Sequence, residues 1–149
     1  MNIREEYKQI LHKIRSVCIN FDTTTSDNLM KIVKMTKLKD KFNCIDYWNR
    51  FIPNVKKPYS ILNTESSNEG NGIHWIGLFQ DGKKMYIYDS FGRKNIMNRF
   101  CEEMEKQGFT CLYVNKKTDQ GNRQIDCGLR SLLWLIFVEK YGIKQSSKI

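Results

Sequence analysis

Q-G-N-R-Q-I-D-C-G, Gln120 to Gly128, runs without a break into L-R-S-L-L-W-L-I-F-V, Leu129 to Val138. The second stretch is apolar almost all round a helix, which places it inside a fold rather than on its surface. Cys127 then stands at the N-terminus of a buried helix, where unpaired backbone N–H groups and the positive end of the helix dipole favour a thiolate over a thiol. Asp126 suits the cap of that helix. Its charge would raise the pKa of a neighbouring thiol, so its carboxylate is expected to face the backbone.

Upstream, two β-prone runs, Ile73 to Phe79 and Lys84 to Asp89, flank Asp81-Gly82, a pair that suits a two-residue type I′ hairpin. With Asp81 and Gly82 as the two loop residues, His74 falls directly opposite Asp89. Opposed residues share a sheet face with Cβ atoms about 4.5–5.5 Å apart, near enough for a carboxylate to orient an imidazole. Ile76, Leu78, Met85 and Ile87 lie on that same face, an apolar stripe leading to a polar pair.

The rest of the chain alternates helix and strand. Ile3, Tyr7, Ile10, Leu11, Ile14 and Val17 recur at helical spacing, and Thr23 to Asp27 supplies N-cap candidates for a second helix to about Met35. Phe42 to Pro53 reads as an aromatic-rich connection, Tyr59 to Leu62 as a short strand and Thr64 to Gly72 as a loop. Ile96, Met97, Phe100 and Met104 predict a helix ending at Gly108, and Phe109 to Val114 a further strand. The fold class expected is α+β: a central mixed sheet with flanking helices and a buried central helix carrying Cys127.

Composition bounds what this can be. A chain of 149 residues, 40% hydrophobic and 12% aromatic, suits one domain spanning 1–149 and a monomer that folds alone. No apolar run approaches the length of a membrane span, and the charged Met1 to Lys13 lacks the apolar block of a secretion signal, so no membrane partner and no secretion are expected. Five cysteines without a C-x-x-C pair, beside two histidines, argue against a disulfide framework and a zinc site, and no cofactor is required. The net charge of +9 favours non-specific attraction to DNA, although each lysine cluster alone is explained by a solvated surface. His12 lies off the apolar stripe and is expected in solvent.

Thiol catalysis needs a nucleophile, a base, a group that orients the base, and donors for the oxyanion. Cys127, His74 and Asp89 supply the first three. Gln120 and Gln124 both carry a suitable amide. Gln124 sits three positions before Cys127, where the chain must turn into the helix, so Gln120 is the better placed to reach over the sulfur. Alone, each residue has a plainer reading: a core histidine, a turn-forming aspartate, a small buried thiol. Trp75 is read equally as core or as a lid over the imidazole, and Cys111 as a strand residue packed inside.

Taken together, H-W at 74–75, Y-I-Y-D-S-F-G at 86–92 and Q-G-x-x-x-x-x-C-G at 120–128 resemble the adenovirus-type maturation cysteine proteases (adenain), whose fold is related to papain and to the ubiquitin-like-protein-specific proteases. The resemblance spans roughly Ser26 to Tyr141. It implies His74, Asp89 and Cys127 as the triad and Gln120 as the oxyanion glutamine. Asp89 and D-C-G look more like the ubiquitin-like-protease branch, whereas the Q-G spacing and short chain look like the viral one. The stretch from Asn63 to Trp75, ending G-I-H-W, is most similar to proteases of virophages and Maverick/Polinton elements.

That resemblance implies cleavage of viral capsid precursor proteins at glycine-containing sites, in the virion and the infected host cell. It also implies possible activation by DNA or by a peptide disulfide-bonded to a strand cysteine, and Cys111 occupies a comparable place. Two other classes stay open: a protease removing ubiquitin-like modifiers, and a basic DNA-binding packaging protein without catalysis.

Overall fold

The computed structural model describes residues 2–17, 25–66, 74–93, 95–115 and 127–149. Among the described residues, five α-helices, α1 (Ile3–Val17), α2 (Ser26–Lys34), α3 (Asn98–Lys106), α4 (Cys127–Tyr141) and α5 (Ile143–Ser146), surround strands β1 (Phe42–Tyr47), β2 (Tyr59–Asn63), β3 (Trp75–Asp81), β4 (Lys84–Tyr88) and β5 (Thr110–Tyr113). The strands form one sheet in the order β1-β2-β3-β4-β5. The outer pairs β1–β2 and β4–β5 are parallel and the inner pairs antiparallel, so the fold is α+β with a mixed sheet and flanking helices.

Strand alternation separates two cores. Leu62, Ile76, Leu78, Met85 and Ile87 point to one face and pack with Phe51, Met97, Phe100, Cys101 and Met104, so α3 covers that side. Tyr59, Ile61 and Tyr88 point to the other and meet Tyr7, Leu11, Leu29, Val33 and the apolar length of α4. Leu132, Leu133, Leu135 and Phe137 are all buried, each contributing about 1.5–3 kcal/mol relative to exposure. Trp134 stacks on Tyr88 with ring centroids 5.3 Å apart, and Tyr7 of α1 donates to Arg130 O in the first turn of α4 at 3.1 Å. At its other end, α4 is tied to the sheet by Glu139, which accepts from Tyr59 at 2.5 Å and Lys41 at 2.7 Å.

Gly77 lets α4 lie this close to β3. A Cβ there would stand 3.1 Å from Trp134 Cε3 and 3.3 Å from the Ser131 carbonyl. Helix α2 begins where its cap predicts, with Thr25 Oγ1 accepting from Asn28 N at 3.2 Å, and the chain leaves α3 through Gly108. Among the described residues no helix is long and apolar enough to cross a membrane.

Two expectations are corrected. Phe42–Tyr47, read as a connection, is strand β1, paired in parallel with β2. Its residues do not alternate cleanly in polarity because, past Phe42, both faces are only half-buried. The hairpin turn is Gly82-Lys83, not Asp81-Gly82, since Asp81 pairs with Lys84 and Gly77 with Tyr88. Gly82 has φ +58° and Lys83 is not at positive φ, the pattern of a II′ turn, which takes glycine first; type I′ needs positive φ at both positions.

Candidate active site

A register moved by two residues takes Asp89 away from the position directly across from His74. It does not change faces, because sheet alternation has period two. The two residues become diagonal neighbours just beyond the paired strands, His74 before β3 and Asp89 after β4, and His74 Nε2 is hydrogen-bonded to Asp89 Oδ1. The His74 carbonyl is held by Thr64 N at 2.9 Å.

Asp89 is 1% exposed and its carboxylate is surrounded by donors. Oδ1 also accepts from Phe91 N at 3.2 Å, while Oδ2 accepts from Arg93 N at 3.0 Å and Arg93 Nε at 3.1 Å. Burial alone would push this carboxyl up, but the bonds from His74 and Arg93 hold it below its ordinary 3.8. Its backbone is fixed as well: Asp89 N donates to Asn115 Oδ1 at 3.2 Å, and Asn115 Nδ2 donates to Asp89 O.

Cys127 is the first residue of α4 and 7% exposed. Its Sγ accepts from Trp75 N at 3.5 Å and is hydrogen-bonded to His74. With Nε2 on the carboxylate, Nδ1 is the ring nitrogen left for the thiol. Burial works against charge on both partners. For Cys127 it is outweighed by the hydrogen bond to His74, the N–H groups of Trp75 and Gly128 and the imidazolium charge, so the thiol titrates below its ordinary 9.0. For His74 the bonds to Asp89 and Cys127 prevail over burial and raise the ring above 6.5. Both shifts act in the same sense, favouring thiolate on Cys127 and imidazolium on His74.

Phe91 and Arg93 complete the wall. The Phe91 ring lies 5.2 Å from the His74 ring, and the Arg93 guanidinium lies 4.9 Å from the Phe91 centroid. Trp75 belongs to the margin of the α4-side core, which favours the core reading, and its carbonyl accepts from Ser131 Oγ at 3.3 Å. Cys111 is packed against the α3-side core, and His12 is exposed.

The structure thus brings together His74, Asp89 and Cys127. Gln120, Gln124 and Asp126 lie outside the described residues. Sequence reading missed Arg93 and Asn115. Arg93 was detectable as a cation four residues after a turn-forming aspartate, whereas Asn115 is paired with Asp89 only by β4–β5 pairing. Chemically, the arrangement can move the thiol proton to an imidazole whose positive charge is supported by a buried carboxylate. No protein-family model matches the chain, and no curated protein matches it.

Proposed function

We propose that this chain is a thiol endopeptidase of the adenovirus-type maturation class, with an adenain-like, ultimately papain-like, arrangement of sheet and nucleophile-bearing helix. The observation that carries the reading is the hydrogen-bonded line Cys127–His74–Asp89 at the start of a buried helix. The sequence order His, Asp, Cys and the Q-G ahead of the cysteine support the same class.

Cys127 Sγ attacks the scissile carbonyl carbon, giving a tetrahedral oxyanion. His74 passes the proton it holds to the leaving amine nitrogen, leaving a thioester on Cys127. Water, deprotonated by His74, then opens the thioester and restores the thiol. Asp89 keeps the ring oriented and supports its charge in both half-reactions. The Gln120 amide and the Cys127 backbone N–H receive the oxyanion. Capsid precursor proteins cut at glycine-containing sites are the substrates, in the virion and infected cell, and the basic surface gives a non-specific affinity for DNA.

The test is hydrolysis of a glycine-containing fluorogenic peptide library and of capsid precursors by the full chain, with and without DNA, against Cys127→Ala. Cleavage by the wild type alone supports the reading. Absence of cleavage throughout, with Cys127 no faster than Cys44 toward iodoacetamide, overturns it. Turnover confined to ubiquitin-like modifier tails would move the enzyme to the related branch.

A further inference from the structure

Beside α3, away from the triad, lies a pair of sulfurs. Cys101 is on the inner face of α3, 8% exposed, and Cys111 faces it from β5. Both pack in the α3-side core, both are free thiols, and their side chains are hydrogen-bonded to each other. Register explains the meeting: Cys111 pairs with Met85 and Tyr113 with Ile87, so β5 turns both toward the helix. Tyr113 also bonds Cys101, and its hydroxyl accepts from Met97 N at 2.9 Å, anchoring the start of α3.

We infer that Cys101 and Cys111 form a redox-active dithiol, a site that hydrogen peroxide converts to an intramolecular disulfide joining α3 to β5. The chemistry balances with that oxidant. The Cys101 sulfur attacks one peroxide oxygen, forming S–O and breaking O–O, and the departing hydroxide leaves as water with the thiol proton. The Cys111 sulfur then displaces hydroxide from the sulfenic acid, forming S–S, and a second water carries off its proton. Two thiols lose two electrons and the peroxide gains them.

The roles of the two sulfurs follow from their surroundings. The hydrogen bond from Cys111 holds Cys101 below the ordinary thiol range against burial, with Tyr113 assisting and Glu105 opposing. The same contact, with burial, pushes Cys111 up. Cys101 is therefore the attacking sulfur and Cys111 the resolving one. The strand carrying Cys111 continues directly to Asn115, whose amide grips the Asp89 backbone, so the disulfide would stiffen one support of the triad.

The experiment uses the full-length Cys127→Ser protein, which removes the nucleophile and makes the outcome independent of any peptidase activity. It is treated with equimolar hydrogen peroxide, alkylated, and mapped as non-reduced peptides. The expected result is one dominant cross-link, Cys101 to Cys111, reversed by dithiothreitol, absent from protein oxidised in urea, and accompanied by a higher Tm. Cys111→Ser should instead leave a sulfenic acid on Cys101 that a dimedone probe captures. Both cysteines remaining alkylatable while Cys44 oxidises, or cross-links spread over several pairs, would overturn the assignment.

Discussion

Arg93 reaches back four residues and gives both its backbone N–H and its Nε–H to Oδ2 of Asp89, leaving Oδ1 for His74 and the Phe91 N–H. Arg93 thus occupies one carboxylate oxygen, while the other is shared between the imidazole and the Phe91 N–H of the loop. Because the arginine is 45% exposed, its contribution is screened by solvent and lies mainly in aiming the carboxylate rather than in stability.

Arg93→Ala is therefore expected to lower kcat by roughly tenfold with little change in KM, the loss of about one charge-assisted hydrogen bond. Removing a cation beside the pair also lets the imidazolium persist, so the basic limb of the pH profile should move up. Arg93→Lys should restore little, since lysine has no planar fork to donate beside the backbone N–H. Unchanged kcat and an unmoved basic limb would remove Arg93 from this role.

The pKa directions define a pH window. Cys127, depressed below 9.0, gives a reactivity that rises as pH climbs through its folded pKa, and His74, raised above 6.5, gives a fall as pH passes its own. The kcat/KM profile should be a bell whose two limbs belong to the pair jointly. Stability follows the same signs. The His74 contribution is complete below 6.5 and lost as pH rises through its folded value. Those of Cys127 and Asp89 are complete above 9.0 and 3.8 and lost as pH falls through theirs. Tm measured across pH in wild type and His74→Ala should converge at high pH; a constant gap there would contradict the assignment.

Much of this geometry was readable from the chain. The all-round apolarity of Leu129 to Val138 located α4, and the alternation in Ile73 to Phe79 and Lys84 to Asp89 identified the sheet face of the acid–base pair. The exact hairpin register was not readable, because Asp-Gly suits a I′ loop while Gly-Lys suits II′, and only the surrounding sheet chooses between them. The error was tolerable because a slip of two preserves parity. Strand β1 was hidden by its half-buried, poorly alternating residues, and Asn115 by a partnership that exists only across strands.

Gly77→Ala inserts a methyl group against Trp134 and the Ser131 carbonyl, the second of which is helix backbone and yields little. Overpacking of this kind costs about 1–3 kcal/mol, and urea unfolding should report it. Since α4 carries the nucleophile, alkylation of Cys127 by iodoacetamide should slow as well. Wild-type stability and reactivity in this variant would mean that α4 repacks freely.

Gln120→Ala should reduce kcat by about 10²–10³-fold if the amide is one of the oxyanion donors, with the pH limits unchanged because it leaves the ion pair intact. Stopped-assay turnover beside Gln124→Ala distinguishes the two glutamines. A larger loss in the Gln124 variant would exchange their assignments.

Trp75 holds α4 by both of its peptide groups: its N–H meets Cys127 Sγ and its carbonyl meets Ser131 Oγ, residues four apart and so stacked on one helix face. Two pins on a single residue prevent the helix from either spinning about its axis or sliding along it. Because Trp75 follows His74 directly, one peptide unit links the base to the bracket that grips the nucleophile. A breathing motion between sheet and helix would carry acid, base and sulfur together, and the alignment of the reacting atoms is thereby insulated from the elasticity of the rest of the domain.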